Sequence, residues 1–165
     1  MIVPYDRLAA VSYALRWAKG RNPDFYDYAQ IGGDCTNFVS QSVYAGSYIM
    51  NYTPDFGWYY INANDKSPSW TGVQFFYDFM IGNNGVGPFG NETPLNELLL
   101  GDVIQLGNAN GLFYHSLILT GIRQTRRGKI YYVSAHSQDA LNRNLATYSF
   151  ENIRGIHILG VRNSD

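Results

Sequence analysis

The hydrophobic pattern of this chain changes period once, and that change limits the folds open to it. In the first half, Leu8, Val11, Ala14, Leu15 and Ala18 recur at steps of three and four. That spacing predicts a helix over 6–19 with one apolar face. Gly20 and Pro23 stop it. A Tyr-rich loop, 24–30, and the pair Gly32-Gly33 lead into a second helical stretch that starts at Cys35 and ends by Gly46, with Phe38, Val39, Ser42 and Val43 on one face. A short helix is expected over 71–81, capped by Ser69 or Thr71. After residue 100 the pattern becomes that of strands, at 103–106, 114–122, 130–136 and 153–161. Helices first and strands afterwards, without β-α alternation, predict an α+β fold: N-terminal helices packed on an antiparallel sheet or half-barrel. The length, 165 residues, suggests a single domain over 1–165.

Composition removes several function classes. The formal net charge is −1, so no strong field attracts nucleic acid or an anionic membrane, and neither is expected as a partner. The one basic run, 123–129, suits a solvated hairpin tip. No apolar run approaches the roughly 20 residues of a membrane span. The first residues lack the basic and apolar regions of a signal peptide. That leaves a cytoplasmic protein or a domain of a longer exported, cell-wall-associated chain. A single cysteine excludes an internal disulfide and singles out one thiol.

Between residues 48 and 70 no period is visible, but aromatics are dense. A connection this long is usually functional or disordered, and its aromatic content argues against disorder. Trp58, Tyr59, Tyr60 and Trp70 are candidate substrate-binding residues, able to stack on sugars or line a peptide groove. The competing expectation is a satellite core under a long loop.

The chemistry centres on Cys35. A thiol attacks as thiolate, and a helix N-terminus favours the thiolate through its free N–H groups. Cys35 follows Gly32-Gly33-Asp34, where the glycines allow a sharp turn and close substrate approach. Such a nucleophile needs a base, and the base needs a group to orient it. Of the three histidines, His115 opens one strand and His136 closes the next. If the two strands form a hairpin with its tip near 126–128, the residue opposite His115 falls between 136 and 140. That window holds His136 and Asp139. His136 is preferred as orienter because it belongs to the strand pattern, with Asp139 the alternative. His157, flanked by apolar residues, suits packing or a minor site contact. The wide spacing of Cys35, His115, His136 and His157 argues against a metal site, and no metal or other cofactor is expected.

The segments Asp-Cys-Thr-Asn-Phe-Val-Ser-Gln (34–41), Met-Asn-Tyr-Thr-Pro (50–54), Pro-Ser-Trp-Thr-Gly-Val (68–73), Gly-Asp-Val-Ile-Gln-Leu (101–106), Tyr-His-Ser-Leu-Ile (114–118) and Ala-His-Ser-Gln-Asp (135–139) occur in this order along nearly the whole chain. The run resembles the putative amidase domain family of Gram-positive bacteria, which is similar to the NlpC-type and CHAP branches of the papain-like superfamily. The resemblance implies a papain-like fold with Cys35 as nucleophile, His115 as base and His136 as third residue. By analogy with papain-like proteases, Gln30 is a candidate oxyanion donor beside the Cys35 N–H. Asp34 suits capping or orientation, since a carboxylate repels an anion. The expected activity is amide hydrolysis through a thiol acyl-enzyme, on peptidoglycan or on another peptide or amide. A catalytically silent wall-binding module and a transglutaminase-like acyltransferase are the alternatives.

Overall fold

A computed structural model describes residues 1–164. In chain order the elements are β1 (Ile2–Val3), α1 (Arg7–Trp17), α2 (Cys35–Ser47), β2 (Tyr60–Asn62), β3 (Asp65–Lys66), α3 (Pro68–Thr71), α4 (Val73–Gly82), β4 (Gly87–Thr93), β5 (Val103–Gly107), β6 (Phe113–Thr125), β7 (Gly128–Ala135), β8 (Ala140–Asn144) and β9 (Asn152–Arg162). The architecture is α+β, as the change of period predicts.

Asp6 starts α1 by accepting the Ala9 N–H at 3.0 Å, an N-cap that satisfies one orphan donor of the first turn. The face α1 buries is Ala10, Val11 and Ala14, continued by Ala18, whereas Leu8 and Leu15 are exposed. The apolar stripe is therefore rotated from the expected one. Close approach to α2 explains the rotation. A Cβ placed on Gly46 of α2 would lie 2.6 Å from the Asp6 carbonyl oxygen and 3.1 Å from Ala10 Cβ, so the contact admits only small side chains. The helix expected over 71–81 is two helices. Gly72, in extended conformation, separates α3 from α4.

Six strands form a continuous antiparallel path, β1-β9-β5-β6-β7-β8, and β4 joins it on the other side of β9. Breaks in register occur in the β4–β9, β5–β6, β6–β7 and β7–β8 ladders. Each such irregularity adds local twist, and together they curl the sheet into a half-barrel. Strands β1, β2, β3, β4 and β8 lack a clear alternating signal and go beyond the sequence expectation.

The sheet carries a core on each face, because side chains alternate along each strand. On the helical face, Val103, Ile118 and Ile156 pack with Phe38, Val39, Trp58, Trp70 and Phe76. On the other face, Ile104, Leu106, Leu117, Leu119 and Val133 pack with Leu98 and Leu145. This two-sidedness sets the direction of His115, which lies two residues before Leu117.

Candidate active site

The site forms where the β6–β7 ladder stops. Its last pairs toward the start of β6 are Leu119 with Val133 and Ile118 with Ser134, so the segment from Phe113 to Leu117 has no partner in β7. The N-terminus of α2 comes to that free edge. Thr36 Oγ1 and Ser116 Oγ share a hydrogen bond of 2.9 Å, both buried. Cys35, the first residue of α2, points its sulfur toward the Ser116 backbone N–H and lies 3.8 Å from Thr36 Oγ1. Nucleophile candidate and base candidate thus belong to adjoining pieces of structure: Cys35 meets Ser116, and His115 is the residue before it.

The thiol differs from the sequence expectation in one respect. Burial pushes its pKa up, against the lowering effects of the Ser116 N–H and of the Thr36 hydroxyl and N–H. Desolvation outweighs the helix N-terminus because the sulfur is almost fully enclosed. His115 is displaced the other way, down to about 4, first by burial and second by the cationic Arg143. The isolated protein therefore holds a neutral thiol at Cys35 and a neutral imidazole at His115. No hydrogen bond joins the two, nor does any other reach the His115 ring among the described residues. The ring does lie 6.0 Å from the Tyr148 ring, centroid to centroid.

His136 is placed elsewhere. Its ring is buried and stacked on Phe38 at 4.1 Å. Nδ1 lies 2.5 Å from Asp34 Oδ2, and Nε2 lies 2.9 Å from the Trp17 carbonyl oxygen. Nε2 also lies 3.2 Å from Arg21 NH1, so the ring engages the loop before Cys35, the end of α1 and Arg21, not His115. Extending the β6–β7 register would set Ser137 opposite His115, within the expected window. However, Ser137 and Gln138 both adopt φ of 64°, a left-handed conformation uncommon for such residues, and the chain turns away. Asp139, the alternative orienter, accepts from Arg21 NH1 and NH2 at 2.9 and 3.1 Å. It too is committed to a partner other than His115.

Asp34 occupies the N-cap position of α2 without capping it through its side chain. Its carboxylate instead accepts the Tyr28 N–H and the Asn37 amide, each at 2.8 Å, besides facing His136. The turn into the helix uses Gly32 and Gly33 at φ of 83° and 100°. A side chain at either would be strained, which is the physical content of the Gly-Gly signal.

His115 opens onto a cleft of about 750 Å³ whose walls include Gln30, Leu106, Tyr114, Gln138, Arg143 and Tyr148. Gln30 thus shares the cleft with the proposed base. The four aromatics offered as substrate contacts do not line it. Trp58 and Trp70 are fully buried, with ring centroids 4.7 Å apart. They donate through Nε1 to Ser40 Oγ (3.1 Å) and Asn37 Oδ1 (2.9 Å). With no exposed face, neither can stack on a ligand; both belong to the core. Tyr59 and Tyr60 are half-buried on that core, and the Tyr60 hydroxyl accepts the Tyr26 N–H at 2.8 Å.

His157 lies 2.7 Å from Asp102 Oδ2, in a cluster with Arg7 that ties α1 to β9. Among the described residues no three metal-donating side chains come together. Sequence reasoning missed Arg21, Arg143 and Tyr148. The first two carried no motif, and Tyr148 was one of fourteen tyrosines.

Fold and site together define an α+β protein in which a helix-borne thiol meets the free edge of a curled antiparallel sheet beside a histidine-lined cleft. The chain belongs to the putative amidase domain family, whose profile matches residues 4–159. It is 31% identical over 140 residues to the uncharacterized protein YhbB of Bacillus subtilis (strain 168), covering 82% of this chain and 42% of that one. It is 30% identical over 148 residues to the uncharacterized protein YjcM of the same organism, covering 84% and 32%. The chain therefore spans less than half the length of these relatives. No solved structure matches it significantly.

Proposed function

We propose that this chain is a cysteine-dependent amide hydrolase of papain-like type, with Cys35 as nucleophile and His115 as base. The observation that carries the reading is the docking of the α2 N-terminus on the unpaired edge of β6 at Ser116, beside the residue whose ring opens the cleft. The starting pair is a neutral thiol and a neutral imidazole. Attack on the amide carbonyl is then coupled to transfer of the thiol proton to His115. Imidazolium returns that proton to the departing amine, leaving an acyl-enzyme on Cys35. Water, deprotonated by His115, releases the acid and restores the thiol. The Cys35 N–H, one of the unpaired donors of the first helical turn, faces the developing oxyanion, with Gln30 as the second donor.

His136 takes part by holding Asp34, and so the turn that presents Cys35, rather than by orienting His115. Peptidoglycan is the proposed substrate class, since the family's description is that of an amidase and the resemblance points to cell-wall hydrolases. The test is digestion of purified peptidoglycan with mass spectrometry of the released fragments. Cys35→Ala and Cys35→Ser should abolish release while circular dichroism stays unchanged. Full activity in either variant would remove Cys35 as nucleophile.

A further inference from the structure

The cleft beside His115 contains two arginines in opposite electrostatic situations. Arg21 is neutralised: it makes a bidentate pair with Asp139 and lies 3.2 Å from Asp27 Oδ2. Arg143, on β8, has no carboxylate within ion-pair distance among the described residues. It is nevertheless held in place. Its Nε donates to Thr147 Oγ1 at 2.8 Å, one terminal nitrogen donates to the Thr147 carbonyl at 2.9 Å, and the guanidinium lies 3.8 Å from the Tyr148 ring centroid. The other terminal nitrogen has no acceptor of good geometry among the described residues, although the guanidinium reaches toward the Tyr148 hydroxyl. The Tyr148 hydroxyl is buried and lacks a hydrogen-bond partner of good geometry. The one carboxylate on the cleft wall, Asp139, is already occupied by Arg21.

A fixed, uncompensated cation in this position is unfavourable for the proposed chemistry unless something answers it. His115 must become an imidazolium during attack, and Arg143 opposes that positive charge. A negative group bound at Arg143 would cancel the opposition when substrate is present. A guanidinium with a free N–H is suited to a planar carboxylate, and stacking on Tyr148 pre-pays the ordering of its side chain.

We propose that Arg143 binds a carboxylate of the substrate, so that this cleft selects amides carrying a free carboxylate close to the scissile bond. The inference rests on the amide-hydrolase reading and names the substrate class of that site. It makes the cleft a charge-selective one: the matching carboxamide is a poor ligand, and substrate binding itself prepares His115 to accept a proton.

The test uses two small probes that differ only in this group, N-acetylglycine and N-acetylglycinamide, titrated by NMR into the Cys35→Ala chain. The carboxylate should shift cleft resonances, His115 among them, and bind about fivefold or more tightly than its carboxamide twin, the scale of one partly exposed ion pair. Arg143→Gln should abolish that preference, and Arg143→Lys should keep part of it. Equal binding of the twins, no binding of the carboxylate up to its solubility, or a preference that survives Arg143→Gln would each overturn the proposal. Because the thiol is absent from the titrated chain, such a failure leaves Cys35 as nucleophile untouched. Conversely, hydrolysis by Cys35→Ala would remove the nucleophile without touching the carboxylate site.

Discussion

His115 carries a large pH signature in the acid range. Its pKa falls from 6.5 to about 4 on folding, because burial and the Arg143 charge both disfavour the imidazolium. Between these values the unfolded chain binds a proton that the folded chain refuses. Stability contributed by the neutral ring is therefore complete above pH 6.5 and is lost as pH falls toward 4, by ~3 kcal/mol at about 1.4 kcal/mol per unit. Urea unfolding of wild type and His115→Gln at pH 7 and pH 4.5 should show wild type losing more stability than the variant over this window; parallel losses would refute the depressed pKa. For activity, kcat/KM should keep a neutral base to well below pH 6, with its acid limb near 4. The residue types of the site were legible in sequence, since only one cysteine and three histidines were available. Their protonation was not. The helix N-terminus argued for a thiolate, but enclosure of the sulfur by Thr36 and Ser116 is a tertiary fact, and burial is the larger effect.

At the scale of elements, the start of α2 is held by a carboxylate that does not cap it. Asp34 is buried with His136, the Tyr28 N–H and the Asn37 amide as partners, and Asn37 also binds the Tyr26 carbonyl and Trp70. Removing a hydrogen-bond partner from a buried carboxylate costs more than the bond contributes, because the surviving charge stays desolvated. His136→Ala should therefore destabilise by ~3–5 kcal/mol in chemical unfolding. Asp34→Asn with His136→Ala should cost less than the sum of the single changes, and a strictly additive result would show that the two do not interact. If His136 positions the nucleophile, His136→Ala should lower kcat far more than it raises KM, with the pH limb of His115 unmoved. Sequence placed His136 within hairpin reach of His115 because strand periodicity runs through Ala135. What it lacked was a sign that the ladder would end at Ser134 and that Ser137 and Gln138, neither a glycine, would turn left-handed. The first helix was readable from its apolar spacing and the start of α2 from the glycines before Cys35. Strands β1 and β4 were not, since both pair with β9 at the far end of the chain, and β8, although it follows β7 directly, has only five residues, most of them polar.

Across the whole molecule, the aromatic stretch between α2 and α4 changes meaning when the sheet is considered with both its cores. Read locally, it offered rings for a substrate. In the folded chain, Trp58 and Trp70 fill the helical face between α2, α4 and the sheet, and Phe25, Tyr44, Tyr60 and Phe79 stack around them. In the proposed reading substrate space lies instead on the cleft side, whose wall His115 shares with Leu106. Sequence showed the aromatic density but not which side of the sheet it would cover, and that choice depends on the register of β5 and β6. The two sides remain connected, since Trp70 donates to Asn37, Asn37 donates to Asp34, and Asp34 precedes Cys35. This chain of contacts makes a specific demand. Trp70→Phe keeps most of the apolar volume but removes the indole donor, leaving the Asn37 carbonyl oxygen buried and unpaired at ~1–3 kcal/mol. Thermal unfolding should register that loss. Ser40→Ala, which breaks the equivalent Trp58 bond away from Asp34, serves as the control. If the aromatic core supports the nucleophile turn, Trp70→Phe should slow alkylation of Cys35 or lower kcat several-fold at a temperature where the variant is fully folded, and Ser40→Ala should not. Equal behaviour of the two variants would confine the aromatic core to stability alone.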